Sequence, residues 1–251
     1  MELGLPGRAA PVIVKEQVTS TNSVLKELAI EGAAEGSVLI ALRQTGGRGR
    51  MGRSFLSPPG GIYLSMLLSP RCSPEASLSL TPCAAVAVQR AIARLSDVQA
   101  DIKWPNDLLV ESKKVCGILC ESVFYQGQQK LIVGVGLNVN TPPEAFTGEL
   151  SAIAGSLFSV TGKKISSQKA AEALIEELDR MYADWQNDHR CCLEEYKRSC
   201  INLKRPVLLI RGEEKIKAYA EGIDDNYALM VRHENGEHEA IKMGEVSLRN
   251  M

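Results

Sequence analysis

At 251 residues, with 45% hydrophobic and 24% charged side chains, the chain can bury a substantial core as one large domain or as a large and a small one. That balance excludes an intrinsically disordered chain, and a formal net charge of −1 excludes a global attraction to nucleic acid or an anionic membrane. Seven cysteines, at 72, 83, 116, 120, 191, 192 and 200, with no signal peptide ahead of them, point to reduced thiols in the cytoplasm rather than a disulfide framework.

Residues 11–18 (PVIVKEQV) read as a first strand. Thr21-Asn22 then offers caps for a helix whose apolar residues Val24, Leu25, Leu28 and Ala29 end at Gly32. A second strand at 37–43 leads into Gln44–Arg53, QTGGRGRMGR, where four glycines and three arginines fall within ten residues. Glycine allows positive φ and close approach, while Arg48, Arg50 and Arg53 bring planar, charged forks suited to phosphate or carboxylate. The stretch therefore reads as an anion-binding loop, and Ile62–Leu68 carries the chain away from it as a strand.

Two glycine motifs fail here. Gly47, Gly49 and Gly52 fit G-x-G-x-x-G, yet Pro58, Pro59, Gly60 and Gly61 block the helix a dinucleotide site needs directly afterwards. A Walker loop needs Gly-Lys-Ser/Thr, and the chain has Gly52-Arg53-Ser54.

Ser73-Pro74-Glu75 starts a helical region, and CAAVAVQRAIARL continues it at helical spacing, with Pro82 kinking or beginning the main segment. Short strands follow at 101–104 and 107–111, then a turn through Glu111-Ser112-Lys113 and strands near 114–124 and 129–138, an antiparallel pattern rather than βα alternation. Lys103-Trp104-Pro105-Asn106-Asp107 reads either as a site or as a hairpin whose Asn-Asp satisfies its own backbone. In Val133–Asn140 two alternating glycines imply close approach by a ligand or another backbone, with Asn138 able to face a base.

Helices are expected at 149–160, 167–186 and 190–200, the second with Leu174, Ile175, Leu178, Met181 and Tyr182 on one face. After Arg205-Pro206, alternating segments (VLLIRG, KIKAYAEGI, YALMVRH, HEAIKMG) separated by Asp224-Asp225-Asn226 and Asn235-Gly236 predict a small β-barrel. No apolar run reaches the ~20 residues of a membrane span. No cysteine or histidine spacing marks a metal site, so no metal ligand is assigned, and Cys116 and Cys120 read as core residues.

Taken together, Ser20-Thr21-Asn22, Gln44 with Gly47-Arg48-Gly49-Arg50-Met51-Gly52-Arg53, Lys103-Trp104-Pro105-Asn106-Asp107, Lys114 with Gly117, and Gly134-x-Gly136-x-Asn138 resemble the biotin protein ligase family over nearly the whole chain. The resemblance implies an α+β fold: a mixed, mainly antiparallel sheet flanked by helices in residues 1–203, related to lipoate ligases and class II synthetases, with an SH3-like barrel in 204–251. It implies a two-step reaction, in which biotin and ATP give biotinyl-5′-AMP and pyrophosphate with Mg²⁺ accompanying the nucleotide, and a biotin carboxyl carrier protein lysine then takes the acyl group.

By the same resemblance the catalytic cations are Arg48, Arg50, Lys103 and Lys114. Arg48, Gly49 and Arg50 surround the biotin carboxylate and phosphate with Lys114, Lys103 lies near the phosphates, and Arg53 helps close the loop. Ser20, Thr21, Asn22 and Gln44 belong to the biotin site, with Gly117, Leu119 and Gly134 lining the apolar body. Asn106 and Asn138 fall near the nucleotide, and Phe55, where many relatives carry tryptophan, stacks on adenine. Some relatives carry an N-terminal DNA-binding domain. With roughly ten residues before the first strand, none is expected here, nor is DNA or membrane binding, while a homodimer is left open. The competing readings are a lipoate or octanoate ligase and a non-catalytic module that holds biotinyl-AMP.

Overall fold

The computed structural model describes residues 1, 3–242 and 244–248. Strand β1 (Val12–Val18) and helix α1 (Thr21–Ile30) lead to β2 (Val38–Gln44), which pairs parallel to β1 with Val12 opposite Val38. Parallel neighbours need a crossover, and α1 supplies it. Ser20, rather than Thr21 or Asn22, caps this helix by accepting from the Ser23 amide, so both expected caps instead lie in its first turn.

After the arginine loop, β3 (Ile62–Leu68) runs antiparallel to β2. Two helices follow, α2 (Pro74–Ser77), capped by Ser73, and α3 (Leu80–Ser96), in whose first turn Pro82 lies. Next come β4 (Asp101–Lys103), β5 (Asp107–Val110), β6 (Lys113–Tyr125) and β7 (Gln128–Leu137). The first sheet has the order β1-β2-β3-β7-β6-β5-β4, with every pair after the first antiparallel. At the β5–β6 turn, Glu111 and Ser112 both take positive φ, 49° and 65°. Left-handed geometry at both central positions matches the twist of a two-residue hairpin, although neither side chain favours it.

The helix expected over 149–160 is two short ones, α4 (Leu150–Ile153) and α5 (Leu157–Thr161). The chain breaks because Ala154 bridges to Lys114, the Gly155 amide donates to the Lys114 carbonyl at 3.0 Å, and Ser156 opens α5 with a capping box. Then α6 (Ser167–Asn187) and α7 (Leu193–Ser199) complete the helices. Leu174, Ile175, Leu178, Met181 and Trp185 of α6 are buried, and α6 packs on α3. Against the expectation that no run reaches membrane-span length, Pro74–Ser96 has the length and apolarity of one, but most of it is buried inside the fold.

Strands β8 (Arg205–Arg211), β9 (Glu214–Ile223), β10 (Leu229–His233), β11 (His238–Ile241) and β12 (Glu245–Leu248) form a second, wholly antiparallel sheet in the order β11-β10-β9-β8-β12. The alternation in the sequence foretold four of these strands and missed β12. Within the expected segment 238–244, Met243 lies outside the described residues, as do 249–251 at the end of the expected barrel.

Strand alternation sorts the first sheet into two faces. Val38, Ile40, Ile62, Leu64, Met66, Val133, Val135, Leu137, Cys116 and Ile118 join the main core under α3 and α6, and Cys120 packs against it. The intervening residues turn to the other face, where Leu39, Leu67 and Ile132 pack under Leu25 and Ala29 of α1. The main core runs on into the second sheet through Val207, Leu209, Ala220, Tyr227, Leu229 and Val231.

Polar bonds at Trp104 also fix the junction, one to the segment before β8 and one to the second sheet's β9–β10 turn. The Trp104 amide donates to the Asn202 side chain at 2.7 Å, and the Trp104 indole donates to the Tyr227 carbonyl at 3.1 Å. Asn202 is fully buried. Asn202→Ala leaves the Trp104 amide without its acceptor and is expected to lower stability by about 1–3 kcal/mol in urea unfolding. A loss under ~0.5 kcal/mol would show that this bond is not what fixes the junction.

Candidate active site

On the face opposite the main core, β6 and β7 place Gly117 and Gly136 directly opposite each other, with Leu119 opposite Gly134. Over this floor opens a cavity of about 830 Å³, within the range of small-molecule sites. Its wall carries Arg48, Arg50, Arg53, Lys103, Lys114 and Arg205 against two carboxylates, Asp101 and Asp107. Six cations against two anions on a chain of net charge −1 make this a local anion trap.

The glycines are required by what lies on them. A Cβ on Gly136 would come 2.5 Å from Phe55 Cε1, and one on Gly117 would come 2.9 Å from Phe55 Cε2, so the ring rests directly on the strands. Lys114 Nζ lies 5.7 Å from that ring's centroid and pairs with Asp107 at 2.7 Å. A Cβ on Gly134 would meet Asn22 Oδ1 at 2.2 Å. Asn22 is itself fixed: it accepts from Ser65 Oγ at 2.6 Å and donates to the Leu119 carbonyl at 3.1 Å and to Glu121 at 2.8 Å.

The arginine loop folds back on itself. The Gly49 amide donates to the Arg53 carbonyl at 2.7 Å, the Phe55 amide donates to the Gly47 carbonyl at 2.9 Å, and Met51 and Gly52 turn the tip with φ of 54° and 73°. Gln44 braces its base, accepting from the Thr21 amide at 2.7 Å and hydroxyl at 3.1 Å and donating to Ser57 at 2.8 Å. Two guanidinium groups hold the loop down on either side. Arg48 pairs with Glu121 at 2.5 Å, while Arg50 donates to Asn106 Oδ1 at 3.1 Å and to the Gly244 carbonyl at 2.9 Å.

Asn106 in turn donates to the Ile118 carbonyl at 2.8 Å, and the Tyr196 hydroxyl donates to the Pro105 carbonyl at 3.1 Å. The Lys103–Asp107 segment is therefore both a hairpin and part of the cavity wall, with a cis Trp104–Pro105 peptide at its turn.

Of the residues singled out in the sequence, Ser20, Thr21, Asn22, Gln44, Arg48, Gly49, Arg50, Arg53, Phe55, Lys103, Asn106, Lys114, Gly117, Leu119 and Gly134 all line the cavity. Asn138 does not. It is buried behind the wall, where its side-chain amide donates to the Gly155 carbonyl at 2.9 Å and its backbone joins Val115 and Leu157. As the residue following β7 it shapes the Ala154–Ser156 break, while its side-chain oxygen is buried without a hydrogen-bond partner among the described residues.

Glu121, Lys26, Asp101 and Arg205 also belong to the site or its support and carry no motif in the sequence. Glu121 collects Asn22, Lys26 at 3.1 Å and Arg48, and only its place two residues past Leu119, on the same strand face, could have revealed it. Burial opposes ionisation of Glu121, but the hydrogen bonds from Asn22 and Lys26 and the Arg48 charge outweigh it and hold its carboxyl below the ordinary range.

Residues 14–138 match the biotin/lipoate A/B protein ligase family, and residues 203–249 match the biotin protein ligase C-terminal domain. The chain is 31% identical over 226 residues to a biotin–[acetyl-CoA-carboxylase] ligase of Paracoccus denitrificans, covering 85% of this chain and 90% of that one. It is 38% identical over 176 residues to a bifunctional ligase/repressor of Bacillus subtilis, and that match spans 69% of this chain and about half, 54%, of the relative. A solved biotin protein ligase of Aquifex aeolicus in complex with biotin and ATP superposes with a TM-score of 0.79 at 30% identity, covering 96% of this chain and 99% of the other.

The Glu121 clamp predicts a pH dependence. A carboxyl held low in the folded state contributes stability that is fully present above its unfolded value and is lost as pH falls through the folded one. Amide exchange of residues 46–54 should therefore accelerate as pH drops below the ordinary carboxylate range, after correction for the intrinsic rate. In Glu121→Gln the loop should exchange fast at every pH, and an unchanged profile in that variant would contradict the clamp.

Proposed function

The chain belongs to the biotin/lipoate A/B protein ligase family, and from that premise we propose that it is a biotin protein ligase, which condenses biotin with ATP to biotinyl-5′-AMP and passes the acyl group to a lysine of a biotin carboxyl carrier protein. The observation that carries this reading is the glycine-floored cavity walled by six cations, large enough for a small acid beside a nucleotide.

The chemistry asks for such a wall. A carboxylate must approach a phosphate of like charge, so the obstacle is repulsion plus misalignment, and fixed cations relieve both. In the proposed first step a biotin carboxylate oxygen attacks the α-phosphorus of ATP and pyrophosphate leaves. Arg48 and Arg50 hold the carboxylate and α-phosphate, with Lys114 between them. Lys103 faces the departing phosphates. In the second step the carrier lysine's amine attacks the acyl carbon and AMP leaves with the shared oxygen. Neither step requires a side-chain nucleophile.

Biotin's ureido ring is assigned to the end of the cavity formed by Ser20, Thr21, Asn22 and Gln44, where Gln44 and Asn22 are already fixed by several hydrogen bonds each. Pre-set polar groups lose little freedom on binding. Its apolar body is assigned to the floor at Gly117, Leu119 and Gly134, and the adenine to Phe55, Asn106 and Arg53. Asp101 and Asp107, the two carboxylates on the wall, suit a magnesium ion that takes one or two carboxylates and shares the phosphates, where it would screen their charge.

Arg48 must exchange Glu121 for the ligand's anion, and Arg50 must keep or exchange Asn106 and the Gly244 carbonyl. The loop thereby couples filling of the site to closure, which keeps water from a mixed anhydride. We place the boundary between the ligase unit and the C-terminal unit at 203/204, just before β8, and propose a cytoplasmic setting that keeps the seven free cysteines reduced.

Mixing the protein with Mg-ATP and biotin should release pyrophosphate, with little release for lipoate or octanoate, and a carrier domain added afterwards should become labelled on its lysine. Lys114→Ala should slow release by roughly 10²–10³-fold, the scale of losing one electrostatic stabiliser. Release with lipoate in preference to biotin would move the chain to the lipoate branch, and binding of both substrates without any release would leave a module that only holds them.

A further inference from the structure

Away from the cavity, Cys83 of α3 and Cys191 and Cys192, which precede α7, bring their three Sγ atoms within 4.8 Å of one another. The Cys191 and Cys192 sulfurs are 3.7 Å apart. We propose that these three side chains form a binding site for one soft, closed-shell cation held by three thiolates, namely Cu(I). The inference stands independently of the ligase reading.

Geometry supports it. With metal–sulfur bonds of about 2.3 Å, a planar three-coordinate ion spaces its sulfurs by ~4 Å, close to the spacing the fold already sets. The three sulfurs, all within 4.8 Å of one another, therefore have little distance to travel to close on an ion. Cys83 and Cys192 are buried, whereas Cys191 is partly exposed and gives an entry path.

The donor set selects the metal. Among the described residues no imidazole or carboxylate joins the cluster: the His189 ring is packed on Trp185 with centroids 4.2 Å apart, and only its backbone carbonyl faces Cys83, at 3.8 Å. Three sulfurs with no nitrogen or oxygen ligand favour a soft ion of low coordination number, while zinc in such a structural site takes a fourth ligand. The Tyr227 hydroxyl lies 3.3 Å from Cys83 Sγ, placed to donate a hydrogen bond to a bound thiolate.

Its location gives the site a structural consequence. Tyr227 belongs to the turn between β9 and β10 in the second sheet, and its carbonyl holds the Trp104 indole beside the cavity. An ion here would fasten α3, the start of α7 and the second sheet at one point. The cysteine spacing gave no hint of this, because α3 and the Cys191-Cys192 pair meet only after folding.

The test is an anaerobic titration of the fully reduced chain with Cu(I) buffered by bicinchoninate, followed by X-ray absorption at the copper edge. We expect one equivalent per chain, three sulfur scatterers and a raised melting temperature. Cys191→Ala should weaken retention by more than the ~10–100-fold that losing an outer-shell partner costs, and Cys72→Ala should leave it unchanged. Undiminished binding in Cys191→Ala, a two-sulfur centre in the wild type, or equal competition by Zn²⁺ would each overturn the proposal. The absorption count on the unmodified chain decides the matter even if the variant folds poorly.

Discussion

The two-residue alternation of β6 and β7 is the constraint from which the site follows. One set of side chains, Cys116, Ile118, Val133 and Val135, must fill the space under α3 and α6, so the alternate positions are committed to the other face. Those alternates are Gly117, Leu119, Gly134 and Gly136, and at three of them a Cβ would strike Phe55 or Asn22. A slip of one residue in β7 would send Gly134 and Gly136 into the core and Val133 and Val135 into the cavity, and one in β6 would turn Cys116 and Ile118 out over the floor. Core packing and the shape of the cavity floor are therefore set by the same register.

Above that floor the arginine loop is held by ion pairs and hydrogen bonds rather than by apolar burial. Its tip residue Met51 is 67% exposed, and its guanidinium groups reach Glu121 on one side and Asn106 and Gly244 on the other. Such partners can be exchanged for a ligand's carboxylate and phosphate with little change in the count of charge-assisted bonds. A buried apolar anchor would have had to be pulled into water. The loop's chemistry thus makes closure over an anionic ligand cheap, while the glycine floor and the braced Asn22 and Gln44 stay fixed.

Much of this was legible in the sequence, for identifiable reasons. Long strands with clean alternation, such as β3 and β7, and helices with a strong apolar stripe, such as α6, declare themselves locally. Arg48, Arg50 and Arg53 were visible because glycine and arginine crowd together in one short loop. What stayed hidden depends on contacts between distant segments. The break at Ala154–Ser156 exists because Lys114 and Asn138 bond to it, Glu121 matters because Asn22, Lys26 and Arg48 converge on it, and the left-handed Glu111-Ser112 turn is imposed by the pairing of β5 with β6. The bond from Asn138 to Gly155 was hidden for the same reason, since it joins the end of β7 to a segment seventeen residues further on.

In the proposed reaction biotin's own carboxylate oxygen attacks the α-phosphorus within this cavity. The most direct measurement uses biotin labelled with ¹⁸O in both carboxylate oxygens, with mass analysis of the AMP and pyrophosphate after transfer to a carrier domain. Attack at the α-phosphorus followed by acyl transfer leaves one ¹⁸O in AMP and none in pyrophosphate. Unlabelled AMP, or label in pyrophosphate, would contradict it.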